Sequence, residues 1–351
     1  QSKKRLLVGW EAQRQARLYP RQRTNRFWSL LSTEPLQERA MAAEHYAELA
    51  YAHLALITGT VPVPEPEWVV AVPDFLDQGK LGIFLGVARA LNMKIEGLVA
   101  NAVAAVQPET PGRPVVHVDL HLHRLELTLL AGAERLTRER TYPITDIGWE
   151  RLVDQVAHRI ADEFVQSTRF DPLHEAEAEQ ALFDQIPDLL QKAADEQPIP
   201  LELKLGRSTY RITGSANMLA DACDPLRRNV LGALEEFRNT SGAEAGPEVQ
   251  LSHRAARVPG LLKQVAALDG IAARPLPRGA GALGALAMAP DFARAGGEGG
   301  VSYLTAKSLP NAAGAAEPPP IGTADDVPAV PTHLLCCDRA YPIDSRTLRV
   351  G

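Results

Sequence analysis

The chain has few cysteines and no long apolar run, and each absence excludes a class of protein. Three cysteines, Cys223, Cys336 and Cys337, occur among 351 residues. Their odd number and their spacing argue against a disulfide framework and a thiolate metal site. No stretch of 18 apolar residues is available to cross a bilayer, and no secretory signal is found. We therefore expect a cytoplasmic protein with no membrane partner.

The sequence also lacks an excess of positive charge. Its formal net charge is −6 at pH 7, which gives no overall signal for nucleic-acid binding. Arginines do cluster between Arg14 and Arg26, next to Tyr19 and Trp28, but this pattern is more typical of a solvated face than of a nucleic-acid interface. A hydrophobic content of 45% is enough for one large bilobed domain or two ordinary ones.

The stretch from Val115 to Leu130 reads VVHVDLHLHRLELTLL and predicts a hairpin. In its first half the even positions are apolar, and in its second half the odd positions are apolar. Because successive side chains of a strand point to opposite faces, this exchange requires a turn or bulge, which we place within His121 to Arg124. A third strand is predicted from Leu136 to Tyr142.

Strands and helices alternate over most of the chain, which predicts an α/β fold. The apolar run from Trp68 to Val72 ends at Pro73, and helical spacing follows from Leu81 to Leu91, which is typical of a strand and helix packed together. A hairpin is predicted on either side of Gly206. Apolar positions at helical spacing predict further helices at Gln37 to Thr58, Trp149 to Phe164, Glu175 to Glu196 (interrupted or restarted at Pro187) and Leu219 to Phe237.

The predicted hairpin resembles the second phosphate-binding hairpin of the actin-like ATPases, whose motif is D-L-G-G-G-T-F-D. The chain has DLHLHRLE from Asp119 to Glu126. In the family, the glycines let backbone N–H groups approach phosphate oxygens. Here the imidazoles of His121 and His123 and the side chain of Leu122 replace those glycines.

Three further stretches are similar to the 70-kilodalton heat-shock chaperones of this superfamily. Leu7 to Pro20 resembles V-G-x-A-A-x-x-Q-x-x-x-x-P, and Trp68 to Met93 resembles V-x-V-P-A-Y-F followed by a long helix. Val249 to Ala289 resembles L-V-G-G-S-T-R-I-P and the segment after it, with Arg257 to Pro259 matching R-I-P. By pattern and order, the resemblance spans about residues 6 to 290.

The resemblance implies a two-lobed actin-like ATPase fold in which each lobe is a mixed sheet flanked by helices. The first lobe is expected at residues 1–110, without the N-terminal strand and first phosphate loop, which would lie upstream of Gln1. The second lobe is expected at residues 111–290. A Gly/Ala/Pro-rich linker is predicted at residues 291–330, and residues 331–351 are expected to form a C-terminal strand segment that begins a further module.

Four departures from the family pattern imply that ATP hydrolysis is lost. The hairpin glycines are replaced, and no lysine lies from Phe27 to Leu31, near where the family has its catalytic lysine. No carboxylate lies at Val99 or Ala100, where the family has a glutamate. His253 and Arg254 replace the paired glycines that lie against adenosine. These losses remove the donors and charges that stabilise phosphoryl transfer.

The expected function is that of a catalytically inactive chaperone-like protein, a scaffold or interaction subunit in a protein complex. Its partner is expected to be a protein, such as another actin-like or chaperone-like subunit, and no cofactor is expected. The degenerate nucleotide cleft is predicted to contain Asp119, His121, His123, His253 and Arg254. The alternative is an active ATPase or small-molecule kinase that binds ATP and Mg²⁺, with His121, His123 and Arg254 as unusual phosphate contacts.

A metal site is another interpretation of the histidines. On an unbroken strand, His117, Asp119, His121 and His123 would share one face and offer nitrogen and carboxylate ligands to zinc. The turn predicted at His121 scatters these side chains instead. Space-filling and hydrogen-bonded histidines are therefore favoured, and no metal is predicted.

Overall fold

The computed structural model describes residues 6–36, 43–241, 246–295 and 300–309, together with two short strands at 333–336 and 339–342. Within these ranges, strands and helices alternate as the sequence predicts. The strands are β1 Glu67–Val72, β2 Lys94–Ala100, β3 Val115–Leu120, β4 Arg124–Ala131, β5 Arg135–Thr145, β6 Ile199–Leu205, β7 Ser208–Gly214, β8 Glu248–Leu251, β9 Ala272–Pro275, β10 Ser302–Leu304, β11 Ala306–Ser308, β12 His333–Cys336 and β13 Arg339–Pro342. The α-helices are α1 Gly9–Gln13, α2 Tyr46–Gly59, α3 Gln78–Ala90, α4 Asn101–Ala105, α5 Trp149–Thr168, α6 Ala176–Ala194, α7 Ala216–Ala222, α8 Asp224–Ser241, α9 His253–Ala256, α10 Leu261–Ala266, α11 Ala280–Ala287 and α12 Ala289–Ala295.

The larger sheet has the strand order β11-β5-β4-β3-β8-β9. Strands β3, β4 and β5 form an antiparallel meander, whereas β8 is parallel to β3 and β9 is parallel to β8. The predicted hairpin and third strand are therefore confirmed, and the face exchange coincides with the turn between Leu120 and Arg124. The carboxyl ends of the parallel strands β3, β8 and β9 meet at one edge of this sheet, next to that turn.

Helix α5 packs its apolar stripe into the core of the larger sheet. Val156, Ile160 and Phe164 lie on one side of the helix at steps of four residues and are fully buried. Burial of each such side chain contributes roughly 1.5–3 kcal/mol. Helix α6 runs through Pro187 without a break, so the predicted interruption there is wrong. The predicted helix from Leu219 to Phe237 is divided by Cys223 into α7 and α8.

The smaller sheet has the order β1-β2-β10, and its described pairs are parallel. The predicted strand and helix at 68–91 are confirmed as β1 and α3, and they lie outside the larger sheet. Helix α2 packs on α3 through a core that includes Leu54 and Phe84. This helix begins at Tyr46, later than predicted, and residues 37–42 of the prediction lie outside the described part.

Two helices connect the sheets and pack closely on each other. Helix α4 follows β2 and precedes β3, while α11 follows β9 and precedes α12. A Cβ atom at Gly284 would lie 1.8 Å from the carbonyl oxygen of Ala104, and one at Gly281 would lie 2.0 Å from Oδ1 of Asn101. Only glycine permits helices α4 and α11 to approach each other this closely, so these two glycines determine how the helices pack.

Part of the expected linker belongs to the sheets. Strand β10 pairs with β2 in the smaller sheet, and β11 pairs with β5 in the larger one, so one short segment joins both. The sequence did not predict these strands because each is only three residues long, which is too short to show an alternation of apolar and polar residues. The predicted C-terminal strands are present as β12 and β13, which pair with each other.

The described residues thus form an α/β fold, and its larger sheet contains both parallel and antiparallel strands flanked by helices. None of the helices in the described ranges is both long enough and apolar enough to cross a membrane.

Candidate functional site: the turn between β3 and β4

The turn at residues 121–123 is held against the start of helix α5. The N–H of Trp149 donates to the carbonyl oxygen of His121 at 2.8 Å, and the N–H of Glu150 donates to that of Leu122 at 3.0 Å. The N–H of His121 donates to the carbonyl oxygen of Arg124 at 2.9 Å, which closes the hairpin. The first N–H groups of a helix need acceptors, and here the turn supplies them.

Gly148 makes this approach possible. A Cβ atom on this residue would lie 2.5 Å from the carbonyl oxygen of Leu122 and 2.6 Å from the backbone nitrogen of Arg124. Such distances are shorter than van der Waals contact, so a larger residue would force the turn and helix apart. Gly148 therefore has a packing role between the turn and helix α5.

On one side of the turn, a histidine lies between two carboxylates. The Nε2 atom of His121 is 3.0 Å from Oε2 of Glu126 and 3.6 Å from Oδ2 of Asp119. Asn101, the first residue of α4, donates from Nδ2 to the same oxygen of Asp119 at 2.8 Å. Because buried charges require partners, this arrangement satisfies both acids with one imidazole and one amide.

The ionisation of these groups is coupled. Burial alone would lower the pKa of His121, but the charges of Asp119 and Glu126 outweigh burial, so the pKa lies above its ordinary value. Burial alone would raise the pKa of Asp119, but His121, His117 and a hydrogen bond from Ser252 hold it below its ordinary value. The charged pair of imidazolium and carboxylate is therefore favoured.

A loop of the smaller sheet covers this side of the turn. Phe75, which follows β1, meets the ring of His121 edge-on with the ring centres 5.2 Å apart. The guanidinium of Arg124 lies over the ring of Phe75, 4.9 Å from its centre. The ring of Phe75 therefore packs against both the imidazole of His121 and the guanidinium of Arg124.

The neighbouring residue, Asp74, attaches the same loop to the meander. Its Oδ2 accepts hydrogen bonds from the hydroxyls of Thr141 at 2.7 Å and Thr128 at 3.2 Å. Arg138 forms an ion pair with Oδ1 and also donates to the hydroxyl of Tyr303 at 3.2 Å. Since the carboxylate is buried and paired, the two sheets are connected at this point by polar contacts as well as by packing.

Two predicted site residues, His253 and Arg254, lie at the carboxyl end of β8, at the start of helix α9. Arg254 donates from Nη1 to the carbonyl oxygen of Leu120 at 3.1 Å, and its guanidinium lies 5.8 Å from the ring of Trp149. It is therefore near Asp119 and His121. Burial, followed by the charges of Arg257, Arg278 and Arg254, lowers the pKa of His253.

His123 faces the other side of the turn. Its Nε2 lies 3.3 Å from the carbonyl oxygen of Asn25, and burial together with the charges of Arg26 and Arg23 lowers its pKa. The structure thus brings Asp119, His121 and Arg254 together and separates His123 from them. A cavity of about 440 Å³ adjoins His123 and is lined by Pro20, Arg23, Asn25, Arg26, Leu122, His123, Asp146, Gly148, Glu150, Arg151 and Asp154.

Sequence reasoning missed the loop residues Asp74 and Phe75 and the role of Glu126 as a partner of His121. The signal for the loop was its position directly after a buried strand that ends at Pro73, because loops at strand ends often form sites. The described residues contain no group of three or more His, Cys, Asp or Glu side chains suited to holding a metal ion. His121 and His123 lie on opposite sides of the turn, so their side chains do not contribute to one such group.

No protein-family model matches the chain, and no curated protein matches it significantly. The geometry of the residues around the turn is therefore the basis for assigning a function.

Proposed function

We propose that this chain is a degenerate, chaperone-like relative of the actin-like ATPases that no longer hydrolyses ATP and acts in the cytoplasm as a scaffold or interaction subunit. The observation that carries the proposal is the position of His121. Its ring lies between Asp119 and Glu126 and against Phe75. In the motif that the chain resembles, this position is a glycine whose backbone would face phosphate.

The strand order supports the actin-like part of the proposal. Three antiparallel strands are followed, after intervening helices, by two strands parallel to the first, which gives the order β5-β4-β3-β8-β9. Two crossing helices, α4 and α11, join this sheet to the smaller one. In this proposal the two sheets form the two lobes, with the first lobe at residues 1–110 and the second at 111–290, and the segment at 302–308 adds one short strand to each sheet.

The loss of hydrolysis is supported by what surrounds the turn. The carbonyl groups of His121 and Leu122 are bonded to helix α5, so the turn is fixed in its present conformation. Val99 and Ala100 are fully buried in β2 and offer no charge. Phosphoryl transfer requires preorganised donors and cations around the γ-phosphate, and imidazole and isobutyl side chains occupy the place of the donors.

A role in binding a protein is supported by the N-terminal segment. Trp10 and Tyr19 are 46% and 54% exposed, with the exposed Arg14 between them. Arg17 fixes the segment to the body: it forms an ion pair with Asp154 at 2.7 Å and lies 3.5 Å above the Phe183 ring. Aromatic residues and arginine are enriched at interface anchors, so this anchored surface suits a partner such as an actin-like or chaperone-like subunit.

The first test is a titration of the purified protein with Mg-ATP and Mg-ADP, combined with an assay of phosphate release. We expect neither saturable binding in the cleft nor turnover. Tight binding with hydrolysis would instead establish the alternative, an active ATPase or kinase with side-chain phosphate contacts at His121, His123 and Arg254. Replacing His121 by glycine is the informative variant because it restores the family residue at this position.

The second test examines the partner. We expect co-purification of an actin-like or chaperone-like subunit in stoichiometric amount from native extract. The double variant Trp10→Ala, Tyr19→Ala should lose this subunit, whereas Tyr51→Ala should retain it, because Tyr51 is equally exposed but lies on helix α2. A monomeric protein that hydrolyses ATP would contradict both parts of the proposal.

A further inference from the structure

The cavity beside His123 has the size of a small-molecule site. Its volume of about 440 Å³ lies within the roughly 300–1,000 Å³ that is usual for ligand pockets. The N-terminal segment at residues 20–26 forms one wall, and the β3–β4 turn with the first turns of α5 forms the other. The helix N–H groups of Trp149 and Glu150 are used by the turn, so side chains would have to bind any ligand.

Most of the acidic charge in the cavity is compensated within the protein. Glu150 forms an ion pair with Arg23, and Asp154 forms one with Arg17 at 2.7 Å. Arg26 differs, because its exposed guanidinium has no hydrogen bond or ion pair among the described residues. Available positive charge therefore remains on the wall formed by the N-terminal segment.

Two further basic side chains line the same cavity. Arg151 lines the cavity and donates from Nη1 to the carbonyl oxygen of Asp146 at 3.0 Å. The imidazole of His123 lines the cavity between the two walls, close enough to Arg26 that their charges interact. Guanidinium groups in such positions are suited to oxyanions.

We propose that this cavity is a binding site for a small phosphomonoester, with Arg26, Arg151 and His123 binding the phosphate group. A phosphate has three terminal oxygens and can accept from donors on different walls, whereas a planar carboxylate is best matched by a single guanidinium. Asp146 also lines the cavity, and because a carboxylate can accept hydrogen bonds, the ligand we propose carries hydroxyl groups on its organic part, as a sugar phosphate does. The proposal concerns binding and goes beyond the proposed scaffold function.

The test is calorimetric titration of the full chain with ribose 5-phosphate and with inorganic phosphate, followed by NMR of the histidine side chains. We expect saturable binding of ribose 5-phosphate and a rise in the pKa of His123, because a bound dianion offsets the arginine charges around the ring. Arg26→Gln should weaken binding at least tenfold, and Arg151→Gln should also weaken it. Arg207→Gln removes the same charge from an exposed turn outside the cavity and should leave binding unchanged.

The outcomes separate the two proposals. Absence of saturable binding of both probes at millimolar concentration would overturn the phosphomonoester site, as would binding that Arg26→Gln and Arg207→Gln reduce equally. Binding of inorganic phosphate as tight as that of ribose 5-phosphate would overturn the role given to Asp146. ATP hydrolysis would contradict the proposed function without bearing on this cavity, because the two are measured with different ligands and different variants.

Discussion

The two sides of the β3–β4 turn present opposite electrostatic environments although their histidines are only two residues apart. On the carboxylate side, His121 lies between Asp119 and Glu126 and its pKa is raised. On the guanidinium side, His123 is influenced by Arg26 and Arg23 and its pKa is lowered. Burial lowers the pKa of both rings, so the difference comes from the neighbouring charges.

One short turn thus separates a carboxylate environment from a guanidinium environment. The carboxylate side is satisfied internally, because each charged group there has a partner. On the guanidinium side, the side chain of Arg26 has no acceptor among the residues that the structure describes. The first side therefore contributes mainly to stability, and the second is available for a ligand.

Removing Glu126 should have the largest effect. Glu126→Ala deletes the closer of the two carboxylates that contact His121 and leaves Arg124, 3.7 Å away, without this partner. We expect a loss of about 3 kcal/mol in the free energy of unfolding, as for other broken buried pairs. Urea unfolding followed by circular dichroism measures this change.

The control for that variant is Glu202→Ala. Glu202 pairs with Lys204 and Arg211 on the β6–β7 hairpin, where all three side chains are more than one-third exposed. Its loss should cost much less stability than the loss of Glu126, because water screens exposed ion pairs. If the two substitutions proved equally costly, the carboxylate side would have no special role in stability.

Gly148→Ala should have the second-largest effect. It acts on the backbone contact between the β3–β4 turn and helix α5, which holds both histidines in place. The new methyl group would overlap the carbonyl oxygen of Leu122, and such overpacking costs about 2 kcal/mol. Gly232→Ala is the matched control, since a Cβ there meets open space on helix α8 and should be neutral or stabilising. Equal melting temperatures for the two variants would contradict the close approach.

The sequence predicted the meander, the turn and its histidines, because a period of two residues and its reversal are local properties. It predicted neither the contacts of Asp74 nor those of Phe75, because these residues join the site from another sheet. The pairing of His121 with Glu126 was also missed, although both belong to one motif. Which charges surround a side chain depends on tertiary packing, and the opposite environments of His121 and His123 are not encoded by their identical side chains.

The two histidines should also give opposite pH dependences. The folded-state pKa of His121 is raised above about 6.5, so its stabilising contribution is complete below that pH and is lost as pH rises through the folded-state pKa. His123 has a lowered folded-state pKa. The unfolded chain therefore binds its proton more readily, and stability declines as pH falls from about 6.5 toward that pKa.

Unfolding free energies measured at about pH 6 and about pH 9 would check both signs. His121→Gln should be more harmful at the lower pH, and His123→Gln should become relatively less harmful there. The comparison between the two sides fails if the two variants show pH dependences of the same sign.

The smallest effect is expected for Arg23→Gln, which acts on the guanidinium side alone. This substitution breaks the ion pair with Glu150, and both side chains of the pair are 26% exposed. A pair with that access to water contributes about 0.5 kcal/mol, and salt screens it further. Since Arg23 also lowers the pKa of His123, that pKa should rise in the variant, although the change in stability is small. NMR titration of the histidine ring at low and high salt would separate these effects: an unchanged pKa at low salt would show that the charge of Arg23 does not contribute to the lowered pKa of His123.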